Sequence, residues 1–272
     1  MKICIAGKNS IAVNGLKYVL AQESILKENL LILPGPEDTG VDDWQPSLLK
    51  FAQDNKLHIT SLEELYNIDD LIFLSLEYSQ LIKPHLFNSD SLFNVHFSLL
   101  PAYKGMYTST HPLLNGENHS GVTLHKIDIG IDTGDIINQI QFDIEINDTA
   151  RDLYFKYLHF SVELFKNNFE NIINNNFTST PQENIKSTYF SKKSIDYKNL
   201  IINYKKTSFE IHNQLRAYIF KEYQLPTINS KKIKSSVLLS EKIEKNDLIE
   251  NKEYFIISGI DNYKILAYKY EN

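Results

Sequence analysis

Leu92-Phe-Asn-Val-His-Phe-Ser-Leu-Leu-Pro101 is a strand-like segment whose residues up to Leu100 are apolar apart from Asn94, His96 and Ser98. Side chains two residues apart in a strand project from the same face, so Asn94 and His96 share one surface. Polar groups in an apolar setting cost free energy unless they find partners, and their presence therefore calls for a reason. The segment predicts a buried strand that carries an amide and an imidazole on one face.

Upstream of this segment, strand-like and helical patterns alternate. The predicted strands are 2–6, 30–33, 71–76 and 92–97, and the predicted helices are 11–22 and 47–55. This alternation is typical of an α/β fold, a Rossmann-like and mostly parallel sheet covered by helices on both faces. Ligands of such sheets bind outside the carboxyl ends of the strands, and Asn94 and His96 approach that end.

Downstream, two predicted strands flank a loop that contains Asp132, and a long amphipathic helix follows. We expect strands at 121–127 and 135–142, and a helix over 148–168 capped by Asp148 or Thr149. A polar stretch over 174–181 reads as a linker. A helix over 207–217 and strand-like runs at 237–239, 253–257 and 263–268 come after it. We predict a catalytic domain over 1–185 and a smaller, β-rich C-terminal unit over 186–272.

Composition excludes several classes of protein. The chain has 272 residues, 42% of them hydrophobic, and a net charge of −6. The acidic balance argues against general nucleic-acid binding, and no apolar run is long enough for a membrane span. Cys4 is the single cysteine, which rules out an internal disulfide and fits a core residue in a reducing compartment. The start of the chain lacks signal-peptide organisation, so we expect a cytoplasmic location.

The turn Gly7-Lys-Asn-Ser10 follows the first predicted strand and precedes a helix, a position where anions meet helix N-termini. It matches neither the dinucleotide-binding nor the Walker A pattern. Geometry alone favours a plain strand-to-helix turn. The alternative is an anion site, and for that reason Lys8 and Asn9 are candidate substrate-binding residues.

Asn94 and His96 have a structural and a chemical interpretation. In the first, loops satisfy two buried polar residues, and the acidic residues near Asp132 only form turns. In the second, the amide stabilises an oxyanion, the imidazole exchanges protons and Asp132 orients the imidazole. That chemistry is acyl transfer without a covalent nucleophile. A metal site is a further alternative, but the spacing matches no zinc signature; its ligands would be Asp132 with His96, His111, His119 and His125.

Several motifs occur in the order found in the catalytic domain of folate-dependent formyltransferases, which the chain resembles over about 70–165. They are Phe93–Pro101, Tyr103–Gly105, Leu114–Glu117, Gly121–Thr123 and Gly130–Asp135. Segments 40–47 and 215–226 resemble the sugar-nucleotide N-formyltransferases. Within that group the sequence looks most similar to enzymes that act on dTDP-4-amino-4,6-dideoxyglucose. Relatives that formylate tRNA usually have a longer, basic C-terminal domain.

The resemblance implies that N10-formyltetrahydrofolate is the co-substrate and that a nucleotide-linked amino sugar is the acceptor, for surface polysaccharide such as O-antigen lipopolysaccharide. Asn94, His96 and Asp132 would be catalytic. The implied cofactor-binding residues are Leu76, Glu77, Tyr78, Leu81, Ile82, Asp128 and Gly130. The substrate-binding candidates are Lys8, Asn9, Lys104, Gly105, Met106, Arg216, Phe220 and Tyr223.

Some alternatives stay open at this point. Lys104 stands where the wider family often has arginine, and lysine loses the bidentate fork. The aromatic residues near Arg216 either stack on a nucleobase or pack into a core. The C-terminal strands either pair two subunits in a homodimer or close a monomer. A formyltetrahydrofolate hydrolase, a formyltransferase for another amine and a silent binding module are the alternative functions.

Overall fold

The computed structural model describes residues 1–243 and 248–270. Its contacts separate the chain into two compact units, each assembled from three segments. The first unit contains Met1–Lys104, Gly121–Gln141 and Tyr157–Tyr189, and the second contains Gly105–Ser120, Phe142–Lys156 and the described residues of 190–272. The assignment of a catalytic and a substrate-contacting role to 1–185 and 186–272 stays a prediction.

A seven-stranded sheet organises the first unit. Its strands are β1 (Lys2–Gly7), β2 (Leu30–Pro34), β3 (His58–Ile59), β4 (Leu71–Leu76), β5 (Leu92–His96), β7 (His119–Lys126) and β8 (Ile136–Asp143), while β6 (Lys104–Gly105) lies outside it. Their order is β3-β2-β1-β4-β5-β7-β8. The first five run parallel, and β7 is antiparallel to β5. The predicted α/β class with a mostly parallel sheet is confirmed.

The central strands are buried on both faces because nearly every residue in them is apolar. β4 is fully buried along its length, and β1 is buried from Ile3 to Gly7. Continuous burial of this kind is what parallel strands covered by helices require. Gly7 meets a further constraint, since a Cβ there would collide with the carbonyl group of Leu76 on the neighbouring strand. Strand β1 and strand β4 therefore approach closely where the predicted anion turn begins.

Six α-helices accompany the strands within the described residues. They are α1 (Asn9–Leu20), α2 (Leu48–Asp54), α3 (Leu62–Leu65), α4 (His111–Leu114), α5 (Ala150–Ile173) and α6 (Ser208–Ala217). Ser47 caps α2 as an acceptor for the Lys50 amide. Thr149 and Asp152 exchange hydrogen bonds at the start of α5, which agrees with one of the two predicted caps. No helix within the described residues is long and apolar enough to cross a membrane.

The second unit contains a five-stranded sheet with α6 packed on it. The remaining strands in the described part of the chain are β9 (Tyr189–Phe190), β10 (Thr227–Ile228), β11 (Lys231–Lys242), β12 (Ile249–Glu250), β13 (Tyr254–Ser258) and β14 (Tyr263–Lys269). The sheet order is β10-β11-β14-β13-β12, and the paired strands are antiparallel. Apolar residues of α6 and the sheet form one core, in which Ile211, Leu215 and Phe255 are fully buried. The expected β-rich C-terminal sheet is therefore present.

Candidate active site

The polar end of β5 meets the loop between β7 and β8. His96 is 8% exposed, and its Nδ1 lies 3.5 Å from Oδ1 of Asp132. Asn94 is half-buried on the same strand, two residues before His96. An imidazole, a carboxylate and an amide therefore lie close together within the first unit, as an acyl-transfer site needs. The catalytic roles of the three residues stay a prediction.

A backbone carbonyl fixes the orientation of the His96 ring. Nε2 of His96 donates to the carbonyl oxygen of Tyr103 at 2.9 Å. Because a carbonyl can only accept, the proton of a neutral His96 lies on Nε2, and Nδ1 faces Asp132. Tyr103 has φ of +59°, a left-handed conformation that costs free energy in a residue with a Cβ. Such strain is typical of backbone held in place for a function.

The loop that carries Asp132 is held by Gln182, a residue that no motif of the sequence singles out. Asp132 also has a positive φ, of +54°. Nε2 of Gln182 donates to the carbonyl oxygens of Asp132 and Gly134 at 2.9 and 2.8 Å. Within the loop, Asp128 accepts hydrogen bonds from the Gly130 amide and from the Thr133 hydroxyl, at 3.1 and 2.6 Å. Asp128 therefore shapes the loop with its own carboxylate, as acidic turn residues usually do.

The histidines of the metal alternative have other partners. His111 stacks on Phe190 and bonds Ser194 at 2.9 Å, and its burial lowers the pKa of the imidazole to about 4. His119 is exposed and bonds its neighbour Asn118. Within residues 1–243 and 248–270, no group of three His, Cys, Asp or Glu side chains is placed to hold a metal ion.

The turn after β1 lines a pocket of about 90 Å³ together with residues of the 37–47 segment. Lys8 forms an ion pair with Glu37 at 2.5 Å, and Asn9 donates to Glu77 at 3.1 Å. Burial favours the neutral form of Glu37, but the hydrogen bonds from Lys8 and Ser79 outweigh it and hold the pKa of Glu37 below its usual value. The ammonium of Lys8 thus already has an anionic partner, which an incoming anion would have to displace or share.

Known proteins resemble this chain over its whole length. The family described as "Formyl transferase" matches residues 50–168. One similar solved structure is the crystal structure of WlaRD, a sugar 3N-formyl transferase, in the presence of dTDP and 5-N-formyl-THF. The two sequences are 56% identical, and the match covers 100% of this chain and 98% of WlaRD with a TM-score of 0.97. The chain belongs to the sugar N-formyltransferase family. The N-formyltransferase of Helicobacter canadensis, in complex with folinic acid and dTDP-3-aminofucose, is 54% identical over 99% of this chain and 100% of its own, with a TM-score of 0.96.

More distant members of the formyl transferase family match only in part. The methionyl-tRNA formyltransferase of Fervidobacterium nodosum is 35% identical over 192 residues, or 69% of this chain and 58% of its own length. The chain thus spans less than two thirds of this curated relative. The likeness includes the Asn94, His96 and Asp132 region but leaves a large part of the relative unmatched.

The residues expected to bind the folate differ in accessibility. Leu76 and Ile82 are 1% and 8% exposed, so their side chains belong to the core, and their contact with the co-substrate stays a prediction. Leu81 is 64% exposed and available. Tyr78 is half-buried, and burial raises its pKa to about 12. Glu77, with φ of +64°, accepts the hydrogen bond from Asn9 described above.

Two residues expected to bind the nucleotide lie inside the second unit. Arg216 is 2% exposed, and its guanidinium donates to Asn213 at 2.9 Å and to the carbonyl oxygen of Glu145 at 2.9 Å. Burial lowers its pKa to about 10. Phe220 is 5% exposed and packs on Tyr154 and Tyr223. The burial of these two side chains favours the core alternative, and their contact with the nucleotide stays a prediction.

Three other candidates remain available to a substrate. Tyr223 and Met106 are 67% and 45% exposed. Gly105 has φ of +87°, a conformation that favours glycine. Lys104, by contrast, is only 4% exposed, and its backbone amide donates to the carbonyl oxygen of Thr188 at 2.9 Å.

Proposed function

We propose that the chain transfers the formyl group of N10-formyltetrahydrofolate to the amino group at C3 of a dTDP-linked amino-dideoxy sugar. The observation that carries this proposal is the group formed by Asn94, His96 and Asp132, with Nδ1 of His96 turned towards the carboxylate. The choice of C3 is supported by two relatives of more than 50% identity, a sugar 3N-formyl transferase and a protein in complex with dTDP-3-aminofucose. They favour C3 over the C4 amine expected from sequence.

The co-substrate supplies the formyl group. In the transfer, the bond between the formyl carbon and N10 breaks, a bond between that carbon and the sugar nitrogen forms, and one amine proton ends on N10. Asn94 donates an amide N–H to the oxygen that becomes negative in the tetrahedral intermediate, and such donors act most strongly in a partly buried site. Nδ1 of His96 moves the proton, and Asp132 balances the charge of the imidazole when it holds that proton.

Other residues support the two ligands. The ammonium of Lys104 suits the diphosphate of the sugar nucleotide, since a lysine makes charge-assisted contacts with phosphate oxygens. Tyr223 offers an exposed aromatic face to the base. Exposed apolar side chains of the first unit suit the flat, apolar part of a folate; they are Leu81, Ile129 and Ile131, which are 64%, 90% and 41% exposed.

The wider setting is also part of the proposal. The single cysteine fits a cytoplasmic location, and the acceptor fits the synthesis of surface polysaccharide. Homodimer formation is supported by the partly exposed apolar residues of the C-terminal sheet, such as Ile249 and Tyr263, which are 46% and 38% exposed. Sedimentation velocity measures the state directly: a species of twice the chain mass is expected, and a monomer at all concentrations contradicts it.

The test incubates the full chain with N10-formyltetrahydrofolate and one acceptor at a time, with product mass as the readout. The acceptors are dTDP-3-amino and dTDP-4-amino sugars, their UDP counterparts, methionyl-tRNA and water alone. We expect one added formyl group on the dTDP-3-amino sugar, and its loss in His96→Gln but not in the exposed control His119→Gln. Preferred formylation of methionyl-tRNA, or formate release that no acceptor changes, overturns the proposal.

A further inference from the structure

His125 lies directly opposite Asn94 on the neighbouring antiparallel strand. The register of β5 and β7 pairs these two residues, and Nδ2 of Asn94 lies 3.1 Å from Nε2 of His125. Residues paired across antiparallel strands have side chains within reach of each other. The contact is therefore built into the sheet rather than into a loop. His125 also lies 3.8 Å from Oδ1 of Asp132, so it touches two of the three candidate catalytic groups.

The partners of His125 determine which of its nitrogens carries the proton. Nδ1 lies 2.7 Å from the carbonyl oxygen of Lys126, which can only accept. The proton of the neutral ring is therefore on Nδ1, and Nε2 is left as an acceptor. His125 is 2% exposed, and burial lowers the pKa of its imidazole against the opposing charge of Asp132. A neutral acceptor consequently faces the side chain of Asn94.

An acceptor at this position fixes the amide of Asn94. A primary amide has two orientations of nearly the same shape, one with nitrogen and one with oxygen towards His125. Only the nitrogen can donate to a bare Nε2, so the amide nitrogen is turned towards His125. One of its two N–H groups is used there, and the second is left for another acceptor. In the reverse orientation the carbonyl oxygen of Asn94 would contact His125 unfavourably, because both atoms would be acceptors.

We propose that His125 is a positioning residue that holds the amide of Asn94 with its second N–H directed at the formyl oxygen. This inference rests on the function proposed above. The Lys126 carbonyl that sets the tautomer is itself held closely, because a Cβ at Gly134 would collide with it. The Lys126 carbonyl thus fixes the tautomer of His125, and His125 fixes the orientation of the Asn94 amide. Without His125, the amide would spend part of the time with its oxygen towards the developing negative charge.

The test compares two variants at His125 with a control on the same strand. In His125→Leu the acceptor is lost at similar volume, and we expect kcat to fall about 10²-fold, as for a lost oxyanion donor, with little change in either KM. In His125→Gln an amide oxygen can accept from Asn94, and kcat should recover most of that loss. His119→Leu, at the exposed start of β7, should leave kcat unchanged. Circular dichroism checks that each variant is folded.

A double-mutant cycle separates positioning from packing. If His125 acts through Asn94, then His125→Leu should cost little once Asn94→Ala is present. Additive losses, or an active His125→Leu with unchanged kcat, overturn the inference. Nitrogen-15 NMR of His125 tests it independently of turnover: a neutral ring protonated on Nδ1 is expected at pH 7, and the other tautomer or an imidazolium contradicts it. An inactive wild-type chain would instead refute the proposed function.

Discussion

Replacing Gln182 with leucine should release the loop that carries Asp132. The carboxamide of Gln182 supplies the donors for the carbonyl oxygens of Asp132 and Gly134, at 2.9 and 2.8 Å. Its own oxygen is buried with no hydrogen-bond partner among the described residues, so the side chain is retained for its donors. Leucine fills a similar volume and provides no donor. The variant therefore removes the hydrogen bonds and leaves the packing largely intact.

The magnitude follows from the two bonds. A neutral hydrogen bond contributes about 1 kcal/mol net, so the pair holds the loop by about 2 kcal/mol. In the wild type these two hydrogen bonds offset the cost of the left-handed conformation of Asp132, which is about 1–2 kcal/mol. In the variant this cost is left uncompensated and favours other conformations of the loop. Since 1.4 kcal/mol corresponds to a factor of ten, the productive loop conformation should become about 10- to 30-fold rarer. Because this loss affects the carboxylate beside His96, kcat should fall by the same factor.

The assay measures kcat and both KM values for formyl transfer to a dTDP-3-amino sugar. Gln182→Glu keeps the length of the side chain but presents a charged acceptor to two carbonyls, so its loss should be at least as large. Ser179→Ala is the matched control, because Ser179 lies in the same segment as Gln182 and donates to the side chain of Asp135 at 3.2 Å. If Gln182→Leu keeps kcat within about twofold of the wild type, the two hydrogen bonds of Gln182 do not position Asp132.

Three further results are expected. Asn94→Ala should lower kcat about 10²–10³-fold in the formyl-transfer assay with an unchanged thermal midpoint, and near-normal turnover would contradict its role as oxyanion donor. Lys104→Met should raise the KM for the sugar nucleotide about tenfold, and Lys104→Arg should keep most of the affinity, because the contact depends on charge. Equal KM values in the wild type and both variants would exclude a contact between Lys104 and the diphosphate. The free energy of unfolding should rise between pH 4 and 6.5, because burial lowers the pKa of His212 to about 4 and the unfolded chain binds the proton first. One such histidine makes the protein about 2 kcal/mol less stable at pH 5 than at pH 7, and urea unfolding at the two pH values measures this difference. If the free energy of unfolding depends on pH in the same way in His212→Gln, other groups cause the dependence.

Sequence patterns predicted the elements well where the signal is local. Strand 71–76 was predicted with the bounds that the structure has, and the other central strands agree within a residue or so. Helix α1 begins at Asn9 rather than Ile11, because the side chain of Gln45 accepts from the Ser10 amide and satisfies the start of the helix. Gln45 is 35 residues away from Ser10, so the local sequence pattern could not predict this hydrogen bond.

The roles of the candidate site residues stay predictions, but the structure does bring three of them together. Asn94 and His96 stand out in the sequence because two polar residues interrupt an apolar strand, and Asp132 stands out because it lies in an acidic loop whose motif resembles that of a known family. Residue type alone did not separate Arg216 from a ligand-binding arginine, since a buried guanidinium that binds carbonyl groups looks the same in sequence. Phe220 was ambiguous for the same reason, because aromatic rings serve cores and binding faces equally.

Local sequence patterns were enough to predict the alternation of strands and helices, the polar end of strand 92–97 and the family of the chain. These features depend on neighbouring residues, whose burial follows from hydrophobic periodicity. Three contacts come from the folded chain instead: His125 with Asn94, Gln182 with the loop of Asp132, and the Tyr103 carbonyl with the His96 ring. The first two contacts join residues 31 and 50 positions apart, and they depend on strand register and loop path. The third spans 7 residues but requires a strained backbone conformation, which the packing around it imposes.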